Sequence, residues 1–317
     1  MGKVDEVFME KIPNFGNVIT AMVTPFKEDD NQSVDFENVI QLANYLVNNG
    51  TDSLLLNGST GEAAQLSEDE QWHIVDSVRK STPYGTRIIV STGDTNTKRA
   101  IMKTEKAFKH NANAALVVVP EYIKPPQKAM YAHFNAIAKS VSDKPIIIYN
   151  VPSRTGSEIL PETVAKLVCD NPNIIGIKQS VPNLDRVSEL RLNCPENFQI
   201  YSGDDSLTLP MLSLGAKGVI SVASHLEGET IRNMIIAFRE GKNKLAMQYH
   251  QLLFPLYKAL FMTTNPMPIK EALYQRHLIN SPTLRTLGEM NTVEKENLKK
   301  ALMAFECCKN KYMQKMI

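Results

Sequence analysis

Eight short runs of mostly β-branched and aliphatic residues recur along the chain, and each ends in a turn that leads into a helical stretch. They cover Val18 to Phe26, Ser53 to Asn57, Arg87 to Thr92, Ala115 to Val119, Pro145 to Asn150, Ile174 to Lys178, Phe198 to Ser202 and Gly218 to Val222. A strand with one face in water alternates apolar and polar residues. A run that is apolar at nearly every position instead marks a strand buried on both faces of a parallel sheet. The intervening stretches carry helix punctuation. Phe36, Ile40, Ala43 and Val47 form a stripe that stops at Gly50, and Ser67 with Glu70 makes a capping box. Eight such units, spaced by about 20 to 35 residues, predict an α/β fold, a (β/α)8 TIM barrel of roughly 250 residues. A doubly wound open sheet also alternates the two elements, but the strand number and the missing G-x-G-x-x-G turn favour the barrel.

The strand signal fades from about Gly241. Leu252, Leu256 and Leu260 then fall at helical spacing, as do Leu298, Leu302 and Phe305 after a cap at Asn291. The expected division is a barrel over residues 1–240, carrying the active site, and a helical domain over 241–317.

Charge excludes several classes of function. The 317 residues carry 35 basic and 34 acidic side chains, a net charge of +1, which removes the electrostatic basis for a general nucleic-acid or membrane-surface binder. No uncharged apolar run approaches the roughly 18 residues of a membrane span. Met1 to Pro13 mixes Lys3, Asp5, Glu6, Glu10 and Lys11 and lacks the apolar core of a signal peptide. Cys169, Cys194, Cys307 and Cys308 show no metal-ligand spacing and read as reduced thiols. The expected setting is the cytoplasm, with no metal.

In a barrel the chemistry sits at the C-terminal ends of the strands. Lys178 ends Ile174-Ile175-Gly176-Ile177, so its side chain is expected to enter the barrel mouth between apolar walls. Buried lysines are rare, and desolvation disfavours the charged amine, which supplies a neutral nucleophile for a carbonyl. Taken alone, Lys178 reads more readily as a lysine paired with a barrel carboxylate. Tyr149 ends the neighbouring strand, where a phenol can pass protons; alone it reads more readily as a core tyrosine bonded to a main-chain carbonyl. Ser59 and Thr60 offer hydroxyls between Gly58 and Gly61, in a turn open enough for backbone N–H groups to meet a carboxylate. Arg154 follows Pro152 in a tight turn and has the fork that holds a carboxylate bidentately. Asp204 and Asp205 have no partnering His or Glu nearby in the sequence. None of the six histidines (His73, His110, His133, His225, His250, His277) is paired at metal-ligand spacing, and most read as surface residues on helices.

With these strand ends the chain resembles the lysine-dependent pyruvate aldolases of the dihydrodipicolinate synthase and N-acetylneuraminate lyase superfamily, over nearly its whole length. Gly58-Ser59-Thr60-Gly61-Glu62, Tyr149-Asn150 and Lys178 match the superfamily. Tyr149 through Gly156, Tyr201-Ser202-Gly203-Asp204-Asp205, Gly218-Val219-Ile220-Ser221 and Asn265-Pro266-Met267-Pro268-Ile269-Lys270 look like the synthase branch. The resemblance implies that Lys178 forms a Schiff base with pyruvate and that Tyr149, Ser59 and Tyr122 relay protons, with Tyr122 reaching in from a neighbouring subunit. It further implies that Thr60 and the backbone at Ile220 hold the pyruvate carboxylate, that Gly203 lines the site, and that Arg154 binds the carboxylate of aspartate semialdehyde. No dissociable cofactor is implied, since the iminium is the electron sink. A homo-oligomer, a tetramer built as a pair of dimers, is implied as well.

The chain also departs from the synthase pattern. Ser59 stands where threonine is usual, Gln179 follows the lysine where synthases carry an acid, and Glu121 replaces a tyrosine beside Tyr122. Gln71 and Arg99 occupy positions where lysine-regulated synthases place a histidine and a glutamate, so feedback by lysine is expected to be absent. Two alternatives stay open from the residues: an aldolase of the same barrel that cleaves a sialic or 2-keto-3-deoxy sugar acid, and a non-catalytic keto-acid-binding protein.

Overall fold

The computed structural model describes residues 13–314. The reading of residues 1–12 as lacking a leader core therefore lies outside the described residues. Eight parallel strands close a barrel in the order β1 to β8. They are β1 (Val18–Ala21), β2 (Ser53–Leu56), β3 (Arg87–Ser91), β4 (Ala114–Val118), β5 (Ile146–Asn150), β6 (Ile174–Gln179), β7 (Gln199–Ser202) and β8 (Gly218–Ser221). The predicted barrel is thus the observed one, with strand limits mostly within a residue or two of the apolar runs. The largest difference is at β1, which ends at Ala21 although the run goes on to Phe26; Phe26 instead makes an isolated antiparallel bridge to Val34. Every residue of β1, β2, β5, β6, β7 and β8 is buried, which explains why their sequences do not alternate.

Between the strands run α1 (Phe36–Asn48), α2 (Glu68–Ser81), α3 (Thr97–Lys109), α4 (Gln127–Ser140), α5 (Pro152–Thr155), α6 (Pro161–Asp170), α7 (Asp185–Asn193) and α8 (Thr208–Ser213). After β8 come α9 (Ser224–Arg239), α10 (Asn243–Leu260), α11 (Met267–Gln275) and α12 (Thr292–Gln314). The capping box at α2 forms as its sequence requires. Ser67 Oγ accepts from the Glu70 N–H at 3.2 Å, and Glu70 Oε2 accepts from the Ser67 N–H at 2.8 Å. Asn291 and Glu294 repeat that exchange at the head of α12, both at 2.9 Å.

The residues group into two compact units, one of residues 13–17 with Arg87–Ile220 and one of Val18–Thr86 with residues from Ser221 onward. In the first, Val117, Ile148, Ile177 and Ile200 from four strands share a core with Phe134, Leu167 and Leu190 from the helices outside them. In the second, α10 packs along α9 and α12. Leu252, Leu256 and Leu260 of α10 and Leu298, Leu302 and Phe305 of α12 are all buried, as their spacing predicts. Among the described residues no helix is long and apolar enough to cross a membrane.

Candidate active site

Within the unit built on Arg87–Ile220, β5 and β6 run in register so that Tyr149 pairs with Lys178 and Asn150 with Gln179. The β6 run carries its burial through to the polar end: Lys178 is only 6% exposed and Gln179 only 2%. Lys178 Nζ lies over the Tyr149 ring, 4.2 Å from its centroid. The backbone around the lysine is tied on both sides. Ser180 N–H donates to Asn150 O and Gly203 N–H donates to Gln179 O, each at 2.9 Å. Gly203 leaves room at this point, since a Cβ there would lie 1.8 Å from Ser180 Oγ and about 3 Å from the Lys178 stem and would force those side chains to shift. Gln179 accepts a hydrogen bond from Asn150 Nδ2 at 3.1 Å, so an amide pair fills the end of the two strands. Ile220, 1% exposed, ends this unit in β8.

Two further predicted residues lie on the loops after β4 and β5. Tyr122 holds φ at +69°, a strained value for a bulky residue, while its N–H donates to Thr155 O at 3.0 Å. Its side chain is 90% exposed, so within one chain the ring packs against little. Arg154 sits on α5, a single turn that starts at Pro152 and ends at Gly156 with φ +68°. Its side chain is exposed.

Ser59 and Thr60 belong to the other unit, in the turn after β2. Ser59 is exposed, and its carbonyl accepts from the Glu62 N–H at 3.1 Å. Thr60 is 4% exposed, and its Oγ1 accepts a hydrogen bond from Asn265 Nδ2 at 2.9 Å. Thr24 Oγ1 donates to Gly61 O at 2.7 Å. Lys270 Nζ meets Glu62 Oε1 at 2.8 Å, and both side chains are buried. Burial, offset only in part by Glu62, lowers the Lys270 ammonium from its ordinary value to about 8. The sequence singled out Asn265 and Lys270 only as part of a familiar motif; a charged residue inside the apolar pattern of α11 was the one local sign of a special role.

The remaining candidates take structural places. Asp204 caps the turn at Asp205–Leu207 by accepting from the Ser206 N–H at 3.0 Å. Among the described residues no three His, Cys, Asp or Glu side chains come together as a ligand set. Gln71 Nε2 donates to Ala63 O and Leu66 O at 3.0 and 3.2 Å. Arg99 and Lys103 both grip Asp94, at 2.9 and 2.8 Å. Burial alone raises the Asp94 carboxyl, but these hydrogen bonds outweigh it and bring it down to about 2. Two histidines depart from the surface expectation: His133 and His225 are buried. His225 donates from Nδ1 to Val222 O at 2.8 Å and accepts from the Val23 N–H at Nε2, at 3.1 Å, which fixes one neutral tautomer. Its desolvation lowers its pKa to about 4. The four cysteines are free thiols.

The chain is similar to known proteins of one family over most of its length. Residues 14–305 match the model of the Dihydrodipicolinate synthetase family. The 4-hydroxy-tetrahydrodipicolinate synthase of Nostoc punctiforme is 50% identical over 260 residues, which cover 82% of this chain and 87% of that protein. The crystal structure of a dihydrodipicolinate synthase from Cyanidioschyzon merolae with lysine bound superposes with a TM-score of 0.89 at 39% identity, covering 92% of this chain and 98% of the other. A monomeric dihydrodipicolinate synthase variant gives 0.88 at 34% identity, over 92% and 97% of the two chains.

Proposed function

The chain belongs to the Dihydrodipicolinate synthetase family, and from that premise we propose the chemistry its strand ends perform. The protein is a lyase-type synthase that condenses pyruvate with L-aspartate 4-semialdehyde to 4-hydroxy-tetrahydrodipicolinate, in lysine biosynthesis. The observation that carries the site is Lys178, a 6%-exposed amine at the end of a wholly buried strand and against the face of Tyr149.

In our reading the Lys178 amine attacks C2 of pyruvate, and the carbinolamine loses water to give an iminium. Loss of a C3 proton makes the enamine, with the iminium nitrogen taking up the electron pair. The enamine carbon then attacks the aldehyde carbon of the second substrate, whose oxygen is protonated to the alcohol. Ring closure through the substrate amine onto C2 displaces Lys178 and restores it, so one water leaves overall. Tyr149 is the proton donor and acceptor, with Ser59 and Tyr122 as relay hydroxyls. Thr60 and the backbone at Ile220 hold the pyruvate carboxylate, Gly203 leaves room beside the lysine, and Arg154 takes the carboxylate of the semialdehyde. The scheme uses no metal or dissociable cofactor.

The exposed Tyr122 ring supports a homo-oligomer in which this residue completes a neighbour's relay, at least a dimer. We place the protein in the cytoplasm, with residues 1–240 as the catalytic barrel and 241–317 as its helical appendage.

Intact mass after incubation with pyruvate and borohydride, followed by peptide mapping, tests the reading. A reduced pyruvyl adduct on Lys178 is expected. A folded sample with no adduct, or with the adduct on another lysine, overturns it.

A further inference from the structure

Three consecutive residues of the turn after β2 are each held by a side chain from elsewhere in the unit. Asn265 Nδ2 donates to Thr60 Oγ1, Thr24 Oγ1 donates to Gly61 O, and Lys270 pairs with Glu62. Glu62 needs such a hold, because its φ of +53° is a strained value for a residue with a side chain. Lys270 Nζ also lies 4.1 Å from the centroid of the Phe26 ring. Burial works against the charge on Lys270, and a buried ion pair is often no more stable than well-packed apolar residues. What the pair supplies here is a fixed position for the turn.

The bond to Thr60 also has a direction. A hydroxyl has one hydrogen to give and two lone pairs to offer. The Asn265 amide takes up a lone pair, which leaves the hydrogen for an acceptor other than Asn265. We infer that Asn265 is a positioning residue: its amide sets the Thr60 hydroxyl as a donor to the pyruvate carboxylate, in a turn braced by Lys270 and Glu62. This rests on the reading of Thr60 as a carboxylate-binding residue. An aspartate at 265 has nearly the same shape but can only accept when ionised, so it draws the Thr60 hydrogen away from the substrate and places a negative charge beside it.

The test compares Thr60→Ala, Asn265→Asp and the double variant for kcat, for KM with each substrate, and for the pyruvate concentration that gives half-maximal borohydride trapping on Lys178. A contact made equally in ground and transition states acts on KM. Asn265→Asp is therefore expected to raise KM for pyruvate and the half-trapping concentration about tenfold or more. The KM for aspartate semialdehyde should stay within about twofold and kcat within about threefold. In the Thr60→Ala background the same change should add less than about twofold, because the hydroxyl it acts through is gone. Asn265→Ala, which removes the donor without adding charge, should give a smaller rise in the same parameter and serves if the aspartate variant does not fold. If Thr60→Ala raises KM for pyruvate while folded Asn265 variants leave it unchanged, or if the two changes multiply, the inference about Asn265 is overturned. If Thr60→Ala itself leaves KM for pyruvate unchanged, the assignment of Thr60 fails and this inference falls with it.

Discussion

Lys178 Nζ lies over the face of the Tyr149 ring, 4.2 Å from its centroid, and the two residues are partners in the β5–β6 ladder. The ring is therefore a wall of the lysine's surroundings as well as the carrier of a hydroxyl. Tyr149→Phe keeps the wall and removes only the proton carrier. It is expected to lower kcat by about 10² to 10⁴, the range of general acid–base catalysis, while pyruvate is still trapped on Lys178 by borohydride. Lys178→Ala should lose both the adduct and activity, the latter on the order of 10³-fold or more. Steady-state kinetics with adduct mapping separates the two variants, and unchanged kcat in Tyr149→Phe would remove the tyrosine from the relay.

Arg154 stands on a single helical turn fixed by Pro152 before it and Gly156 after it. A charge-assisted hydrogen bond contributes about 1.5 to 3 kcal/mol. Arg154→Ala should therefore raise KM for aspartate semialdehyde by about 10- to 100-fold and leave pyruvate trapping unchanged. Arg154→Lys keeps the charge without the fork and should recover only part of that loss. A kinetic series over both substrates checks this; full synthase activity in Arg154→Ala would contradict the second-substrate assignment.

Lysine should not inhibit this enzyme. Gln71 spends its side-chain amide on Ala63 O and Leu66 O, and Arg99 places a cation, paired with Asp94, where regulated synthases carry an acid. Free lysine, with two ammonium groups and one carboxylate, meets the Arg99 cation there, and the one nearby carboxylate, Asp94, is already held by Arg99 and Lys103. The coupled assay should show unchanged rates up to millimolar lysine, and inhibition at or below that level would show that another set of residues binds it.

Acid should weaken the fold through its histidines: burial lowers His225 to about 4 and lowers His133 and His250 as well. The folded His225 pKa of about 4 lies below the ordinary imidazole value of about 6.5, so the unfolded chain takes up the extra proton in that window. Stability is thus full above about pH 6.5 and falls as pH drops towards 4, by about 3 kcal/mol from His225. Asp94 and Glu70, both held near 2, lose their contribution only at lower pH, as they pass through the ordinary carboxylate range and below. Denaturant titrations from pH 4 to 7 should show the slope, and His225→Gln should flatten it in part; an equal slope in that variant would assign the effect elsewhere.

Tyr122 is 90% exposed on the isolated chain, beside an exposed Glu121. If two copies bring these residues together, the carboxylates repel across the contact and loosen the dimer. Sedimentation velocity should show partial dissociation to monomer at micromolar concentration, with kcat falling in step and Glu121→Tyr restoring both. Constant specific activity through the dissociation would mean that Tyr122 does not serve a neighbour.

The barrel and the lysine were legible from local order alone. A strand buried on both faces advertises itself over five or six residues, and the residue that ends it is then known to sit at a strand end. Tyr149 and Lys178 each end or nearly end such a strand, and the two strands are neighbours in the ladder. The grip on the β2 turn was not legible, because Asn265 and Thr60 are 205 positions apart and Lys270 and Glu62 are 208 apart. His225, one of six histidines of which most are expected on helix surfaces, is buried by contacts that are equally distant in the sequence. It lies in the first turn of α9, and its ring accepts from the N–H of Val23, 202 positions away.

The brace on the β2 turn also sets an order in time. A ribosome adds about 5 to 20 residues per second, so Glu62 leaves the synthesis site about 10 to 40 s before Lys270 exists to meet it. During that interval the turn bearing Ser59 and Thr60 has neither its cation nor its amide donor. Strands β3 to β7 and the lysine they carry are complete well before then. The nascent chain therefore holds Lys178 well before the β2 turn has its brace, and a stalled or truncated product that ends before α11 carries that turn without the Lys270–Glu62 pair.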